Sequence, residues 1–171
     1  MSGYWFQGKA CAKKFAASEA KLILIGRRKE RLIALEKELL EEFPSTKIHH
    51  VAMSVTDYEA VSALPKDLPS EFQAVEVLVN NAGLALGVTS VDKNAVHDAV
   101  QVVNTNVLGV VAFCSAFVPG MIERNAGHII NMGSVAVKSH RSVYFRNIQP
   151  SCSRAIMRTL RVVCTMPAST R

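Results

Sequence analysis

The chain has 171 residues, 49% of them hydrophobic, and a formal net charge of +6, which predicts one soluble domain with a hydrophobic core. The first ten residues lack the apolar segment of a signal peptide, and the longest apolar run, Val107–Val118, is too short to span a bilayer. Four widely spaced cysteines, without metal-ligand spacing to histidine, indicate free thiols and no metal site. We therefore expect a cytoplasmic protein.

The positive charge is concentrated at the carboxyl end of the chain. From Lys138 onward the sequence holds seven lysines and arginines and no acidic residue. Such a tail is compatible with nucleic acid or an anionic membrane, or with a poorly packed segment of skewed composition. Its only aromatic residues are Tyr144 and Phe145, too few for a platform on which bases stack. We expect neither nucleic acid nor membrane as a partner, and a divergent, poorly ordered tail over residues 137–171.

Strand and helix patterns alternate from Lys21 to Met132, which predicts a parallel α/β sheet with right-handed crossovers. Short apolar, β-branched runs predict strands at Lys21–Gly26, Lys47–Met53, Ala74–Val79 and His128–Met132. Helical spacing predicts helices at Arg28–Phe43, Asp57–Leu64 and Asp92–Glu123. Beyond Ala136 this periodicity fails: Arg154–Val163 is compatible with a helix, and no clear strand lies between Pro150 and Pro167.

The third predicted helix is unusually rich in β-branched residues, which have low helix propensity. We therefore expect burial of its apolar face to hold it in place. That face consists of Val96, Val100, Val103, Val107, Val110 and Val111.

Two sequence blocks end strand patterns at turns of small residues, where ligands bind in open α/β sheets. They are Val79-Asn80-Asn81-Ala82-Gly83 and Gly127–Ser134, with Asn104-Thr105-Asn106-Val107 between them. This spacing resembles the short-chain dehydrogenase/reductase family, and most of all its NADP-dependent 3-hydroxy acid (serine-type) dehydrogenases. The stretches Asn80–Gly87 and Gly120–Ser134 are similar almost residue for residue, and the resemblance covers roughly Gly8 to Val135.

The resemblance implies a Rossmann-like, doubly wound parallel sheet, present as a partial dinucleotide-binding domain over residues 1–136. The family's first strand lies at the centre of such a sheet. Since the sequence matches the family only from the turn after that strand, we expect the first strand and the later carboxyl-terminal strands to be missing. The expected sheet has four strands and a gap at its centre.

The resemblance also implies a site for NADP. Gly8 matches the last glycine of the family's T-G-x-x-x-G-x-G at the start of a helix, while Ser2 and Phe6 occupy the two earlier glycine positions. Arg27 and Arg28 stand where a guanidinium pairs with the 2′-phosphate of NADP, although two arginines that open a helix are also typical of a solvated face. The other implied cofactor contacts are Ser54, Val55, Asn80, Asn81, Ala82 and Gly83.

The family's catalytic residues are matched only in part. Ser134 matches the serine that holds the substrate oxygen, and Asn106 the asparagine that positions the helix and a water for proton relay. Tyr144 resembles the family's proton acid/base in Tyr-x-x-x-Lys, but Ile148 stands in the lysine position. The family's lysine lowers the pKa of that tyrosine and binds the nicotinamide ribose, so Ile148 removes both effects.

Two functions follow from these observations. The first is an NADP-dependent oxidoreductase that acts on a small 3-hydroxy acid or a similar alcohol or carbonyl compound. The second is an inactive, truncated relative, such as a pseudoenzyme or an aberrant isoform, that acts through oligomer contacts. A homo-oligomer would form through the helical region Asp92–Met121. Turnover of NADPH would support the first function, and retained oligomer contacts without cofactor binding the second.

Overall fold

The computed structural model describes residues 3–86, 95–133 and 161–166, which form one parallel sheet flanked by helices. The strands of this sheet are β1 (Lys21–Gly26), β2 (Ile48–Ala52), β3 (Val77–Asn80), β4 (His128–Asn131) and β5 (Arg161–Thr165). The helices are α1 (Gly3–Ala16), α2 (Lys29–Glu42), α3 (Tyr58–Asp67), α4 (Val96–Val103) and α5 (Gly109–Glu123). A 3₁₀ turn covers Ser70–Phe72, and a π-helical turn, Asn104–Leu108, joins α4 to α5.

The Rossmann-like α/β class and the four strands predicted from the sequence are confirmed. The inner strands β1, β5 and β3 consist almost entirely of buried residues, as parallel strands covered by helices on both faces require, whereas the edge strands β2 and β4 are half-buried to exposed. The helix predicted over Asp92–Glu123 begins later, at Val96, and its middle is a π-helical turn rather than an α-helix.

The prediction of a gap at the centre of the sheet is wrong. The strand order is β2-β1-β5-β3-β4, so the carboxyl-terminal strand β5 occupies the central position. Val163 of β5 pairs with Ile23 of β1 on one side and with Leu78 of β3 on the other. These pairings satisfy backbone groups of β1 and β3 that an empty centre would leave without partners.

The strand β5 also corrects the sequence-based interpretation of the tail. Residues 161–163, which were compatible with a helix, are extended, and a strand does lie between Pro150 and Pro167. Val162, Val163 and Cys164 are fully buried. Two β-branched residues in a short apolar run suit a central strand. The rest of the predicted tail, with the boundary of its domain, lies outside the described residues.

The sheet separates two hydrophobic layers. Leu22 and Leu24 face the layer under α1 and α2, whereas Ile23 and Ile25 face the layer under α3 and α5. The side chains of the central strand β5 alternate in the same way: Cys164 points into the first layer and Val163 into the second.

The expected burial of the valine face on the third predicted helix is not observed for five of its six valines, and the sixth, Val110, is half-buried. The exposed fractions are 80% for Val96, 50% for Val100, 48% for Val103, 52% for Val107 and 55% for Val111. The side chains that α5 packs into the core, Phe113, Phe117 and Met121, continue a different face of the helix. We call the five exposed valines the valine stripe.

The continuous helix Val96–Glu123 is long and apolar enough to cross a membrane by length and composition, and its most apolar 18-residue stretch has a mean hydropathy of 1.7. Core helices of globular proteins share this length and composition. The helix contributes Phe113 and Phe117 to the core beside the sheet, which is the ordinary role of the corresponding helix in a doubly wound fold.

Candidate functional site

A cavity of about 150 Å³ opens at the carboxyl edge of the sheet. Consecutive strand ends line it, because the carboxyl ends of parallel strands meet at one edge. Its walls include Arg27 after β1, Ser54 and Val55 after β2, Ala82 after β3, Thr105 of the π-helical turn and Met166 after β5. The structure thus brings together four of the residues that the resemblance assigned to the cofactor.

The two arginines that follow β1 have different positions. Arg27 is exposed and lines the cavity, where its guanidinium places positive charge at the rim. Arg28 is also exposed and is the residue that precedes the first turn of α2, with an extended backbone. The amino end of α2 adds its partial positive charge to the same corner. This corner suits a phosphate group.

Two residues after β2 form the next part of the wall. The Ser54 hydroxyl lies 2.8 Å from the Thr56 hydroxyl and accepts a hydrogen bond from the Thr56 backbone N–H at 3.3 Å. Val55 is 8% exposed and packs against Gly109, where a methyl group would lie 3.3 Å from Val55 Cγ2. The absence of a side chain at Gly109 therefore lets the helix approach this wall closely.

The two asparagines after β3 hold the sheet together. Asn80 Nδ2 donates to Asn131 Oδ1 at 2.9 Å, which links β3 to β4. Asn81 Nδ2 donates to the Thr165 backbone carbonyl at 3.3 Å, which links β3 to β5. Both asparagines are nearly fully buried, and Ala82 next to them reaches the cavity. In the structure this motif therefore has a sheet-stabilising position at the rim of the site.

Thr165 is a site residue that the sequence analysis missed. Its hydroxyl oxygen accepts from the backbone N–H groups of Asn81 and Ala82, both at 2.9 Å, and donates to the Val79 carbonyl at 3.2 Å. A hydroxyl has one donor and two acceptor positions, so all of them are used. The sequence does carry a signal for it: the short run Arg161–Thr165 is mostly apolar and β-branched, as in a buried strand, and it ends in a residue with a hydroxyl group.

Asn106 lies in the π-helical turn and bonds to the loop that follows β3. Its Oδ1 accepts from the Leu84 backbone N–H at 2.9 Å, and its Nδ2 donates to the Leu84 carbonyl at 2.8 Å. A methyl group on Gly83 would lie 3.6 Å from Asn106 Oδ1, so the two residues are neighbours. Turns of this type inside helices are frequent at functional sites. The two bonds tie the π-helical turn to the loop after β3, and the catalytic role that the resemblance implied for this asparagine stays a prediction.

Gly8 is buried inside α1 and not at its start, which corrects the sequence analysis. The helix begins at Gly3, and no glycine or proline at positions 4–7 interrupts it. A methyl group on Gly8 would lie 2.6 Å from Asn81 Nδ2 and 2.7 Å from Met166 Sδ. Gly8 therefore permits close packing of α1 on the ends of β3 and β5, the role of a glycine that brings a helix against its sheet.

The residues matched to the acid/base chemistry, Ser134 and Tyr144, lie outside the described residues, as does Ile148. The described range that contains β4 continues past the end of this strand at Asn131 to Gly133. The place where the chain leaves β4 is thus the same carboxyl edge that holds the cavity.

Two thiols near the centre of the sheet are poorly suited to nucleophilic chemistry. Burial raises the pKa of the Cys164 thiol strongly, and the charge of Cys11 contributes to the same direction. Burial also raises the pKa of the Cys11 thiol. A raised pKa keeps a thiol protonated, and the protonated form is not the nucleophile.

Comparison with known proteins places these features in a family. The family model for short chain dehydrogenases matches residues 7–146. The chain is 40% identical over 129 residues to the NADP-dependent 3-hydroxy acid dehydrogenase YdfG of Salmonella typhi, and this match covers 75% of the chain and 50% of that relative. It is 41% identical over 130 residues to a sulfoacetaldehyde reductase of Chromohalobacter salexigens, with the same two coverages of 75% and 50%.

Among solved structures, the closed form of a serine dehydrogenase complexed with NADP+ superposes with a TM-score of 0.67 at 37% identity. The match covers 78% of this chain and 51% of that chain. The present chain therefore spans about half the length of the relatives that it matches.

Proposed function

The chain belongs to the short chain dehydrogenase family, and from this we propose that it binds NADP(H) and catalyses slow hydride transfer between this cofactor and a small 3-hydroxy acid or its carbonyl counterpart. The observation that carries the proposal is the cavity at the carboxyl edge of the sheet, with Arg27 at its rim and Ala82 and Thr105 in its walls. Ligands of doubly wound folds bind in this crevice.

The residues around the cavity fit one end of NADP. Arg27 would pair with the 2′-phosphate of NADP. Proteins that bind NAD instead have an acidic residue here, which accepts a hydrogen bond from the ribose 2′-hydroxyl, whereas this chain has arginine at both positions 27 and 28. Ser54, Val55 and Ala82 would line the adenosine. When bound, the cofactor supplies a nicotinamide ring that gives or accepts hydride.

The remaining chemistry is a proton transfer and the binding of an oxygen. Ser134 would donate a hydrogen bond to the substrate oxygen, and Tyr144 would exchange the proton at that oxygen. Asn106 would keep the π-helical turn and the Leu84 loop in place through its two backbone bonds. Ile148 brings no charge near the tyrosine, so we expect proton transfer to be inefficient.

The substrate class rests on the relatives. The names of the matched proteins refer to 3-hydroxy acids, serine and sulfoacetaldehyde, which are all small molecules with an acidic group. A small hydroxy acid or the matching aldehyde is therefore the substrate that we propose. The described cysteines are free thiols, which is compatible with a cytoplasmic location.

The second candidate is a relative without activity that acts through association with other copies of the chain. The valine stripe supports it, because a row of large apolar side chains on one helix face is typical of an interaction surface. A homo-oligomer through the helical region Asp92–Met121 would cover this stripe. The two candidates differ in their need for a bound cofactor.

One assay separates the candidates. Purified protein is mixed with NADP+ and serine or 3-hydroxyisobutyrate, and the appearance of NADPH is followed by its absorbance. We expect turnover far below about one per second, the lower end of the usual range for enzymes, and its loss in Tyr144→Phe. No turnover together with no binding of NADPH in calorimetry would contradict the first candidate and leave the second. Turnover at or above this rate would contradict our expectation that Ile148 makes proton transfer inefficient.

Cofactor preference is tested in the same calorimeter. We expect NADPH to bind more tightly than NADH, and Arg27→Ala and Arg28→Asp each to reduce that difference, because each removes positive charge from the phosphate corner. Equal affinity for the two cofactors in the unmodified protein would contradict the assignment of this corner to a 2′-phosphate.

A further inference from the structure

Met166 occupies the corner between the central strand and the helix α1. It follows β5 directly, is 2% exposed, and donates its backbone N–H to the Ile25 carbonyl at 2.6 Å. Its side chain separates two glycines. A methyl group on Gly8 would lie 2.7 Å from Met166 Sδ, and one on Gly26 would lie 3.2 Å from Met166 Cβ. Met166 thus fills the space that both glycines leave open.

This corner is the part of a doubly wound fold where a diphosphate lies. The chain turns there from the central strand into the next helix, and glycines let backbone N–H groups approach the phosphate oxygens. A methionine side chain has no N–H or O–H to donate and is apolar. Because Met166 stands at the end of the central strand, the phosphate position is covered by a thioether.

The helix α1 narrows the same corner from the other side. Phosphates bind at helix amino ends because the first N–H groups are without helical partners. Gly8 marks the level of the strand ends, since it lies against Asn81 and Met166. The helix begins five residues earlier, at Gly3, so its amino end extends about 7.5 Å past this level at 1.5 Å per residue. Its free N–H groups are therefore displaced from the corner.

The space that remains is the cavity beside Arg27. Its volume of about 150 Å³ is below the range of roughly 300–1,000 Å³ that is usual for sites of whole cofactors and drug-sized ligands. Arg27 and the amino end of α2 supply positive charge to this cavity, and Met166 forms part of its wall. The charge and the size suit a mononucleotide fragment.

Resting on the NADP site of the proposed function, we propose that Met166 is a specificity-determining residue that makes this site recognise the adenosine 2′-phosphate end of its ligand alone. The diphosphate and the nicotinamide of NADP then add no net affinity. An adenosine 2′-phosphate mononucleotide binds as tightly as the whole dinucleotide.

The test compares two ligands, adenosine 2′-monophosphate and NADP+, by titration calorimetry on the full chain. In the unmodified protein we expect dissociation constants within about threefold of each other, which corresponds to no useful contact beyond the fragment. In Met166→Ala we expect NADP+ to bind at least about tenfold more tightly, while the mononucleotide changes little. Met53→Ala is the matched control: Met53 lines the same cavity and is not placed at the corner of α1, so the ratio of the two affinities is expected to stay unchanged.

The outcomes separate this inference from the proposed function. If the mononucleotide binds but NADP+ binds the unmodified protein more than tenfold more tightly, only the role of Met166 is overturned. The same holds if Met166→Ala leaves the affinity ratio unchanged or if Met53→Ala changes it as much. If neither ligand binds any form of the protein, the NADP site itself is wrong. Should Met166→Ala fail to fold, the comparison of the two ligands on the unmodified protein decides by itself.

Discussion

The two ends of the central strand are held in different ways. At the amino end, Arg161 makes contacts at the surface: its Nη1 lies 3.8 Å from Glu76 Oε2, and its Nε donates to the Glu71 backbone carbonyl at 2.8 Å. At the carboxyl end, one buried hydroxyl, that of Thr165, accepts from two backbone N–H groups in the turn after β3 and donates to the Val79 carbonyl within β3. Loss of the Thr165 hydrogen bonds should cost more free energy of unfolding than loss of the Arg161 contacts. Water can replace the contacts of Arg161 at the surface, but it cannot reach the buried groups around Thr165.

Removing the whole strand has the largest expected effect. Deletion of residues 161–171 would leave β1 and β3 without their shared partner and take three fully buried side chains out of the core. The loss exceeds the stability of an ordinary domain, which is about 5–15 kcal/mol, so we expect no cooperative unfolding transition by circular dichroism. Deletion of residues 167–171 alone is the control. A cooperative transition in the longer deletion would contradict the central position of β5.

A substitution at the buried end comes next. Thr165→Val keeps the shape of the side chain but leaves two backbone N–H groups without an acceptor, so we expect a loss of about 3 kcal/mol in the free energy of unfolding. Thr46→Val is the matched control, because the buried Thr46 hydroxyl donates to the Ala16 carbonyl at 3.2 Å, and the loss of this bond is expected to cost about 1 kcal/mol. Urea denaturation measures both. Equal losses of stability in the two variants would contradict the larger contribution that we assign to the Thr165 hydrogen bonds.

The exposed end gives a smaller effect. Arg161→Ala removes an ion pair whose side chains are 25% and 27% exposed, together with a bond to a backbone carbonyl. Because such partly solvated contacts contribute little, we expect a loss of about 1 kcal/mol. Urea denaturation in low and in high salt measures this loss, which is expected to shrink as salt screens the pair. A loss as large as that of Thr165→Val would remove the difference between the two ends.

The smallest effect is the pH dependence at the same amino edge. Hydrogen bonds from Lys47, and then from Lys21, lower the pKa of the Glu71 carboxyl from its usual 4.5. A lowered pKa in the folded state means stability that is fully present above pH 4.5 and is lost as the pH falls through the lower, folded value. We therefore expect Glu71→Gln to be less stable than the unmodified protein near neutral pH and equally stable at strongly acidic pH. Denaturation curves across this range check it, and a difference independent of pH would contradict it.

Much of the fold was predictable because it depends on local patterns. The runs KLILIG and HIIN alternate with amphipathic helices, so strands and crossovers follow from the sequence. The Asn80–Gly83 turn and Arg27 were likewise found from their positions after strands, and the structure places Arg27 and Ala82 at one cavity. The π-helical turn at Asn106 could not be read from the sequence, since its form depends on the bonds to Leu84.

The sequence by itself determined the family and the alternation of strands and helices from Lys21 to Met132. Tertiary structure alone decided that Arg161–Thr165 fills the centre of the sheet, that the valine stripe faces solvent and that Met166 closes the phosphate corner. The contacts responsible join residues far apart in the chain, such as Asn81 and Thr165. Local periodicity shows which face of a strand or helix is apolar. Which other strand or helix packs against that face is determined by hydrogen bonds and packing between segments that are distant in the sequence.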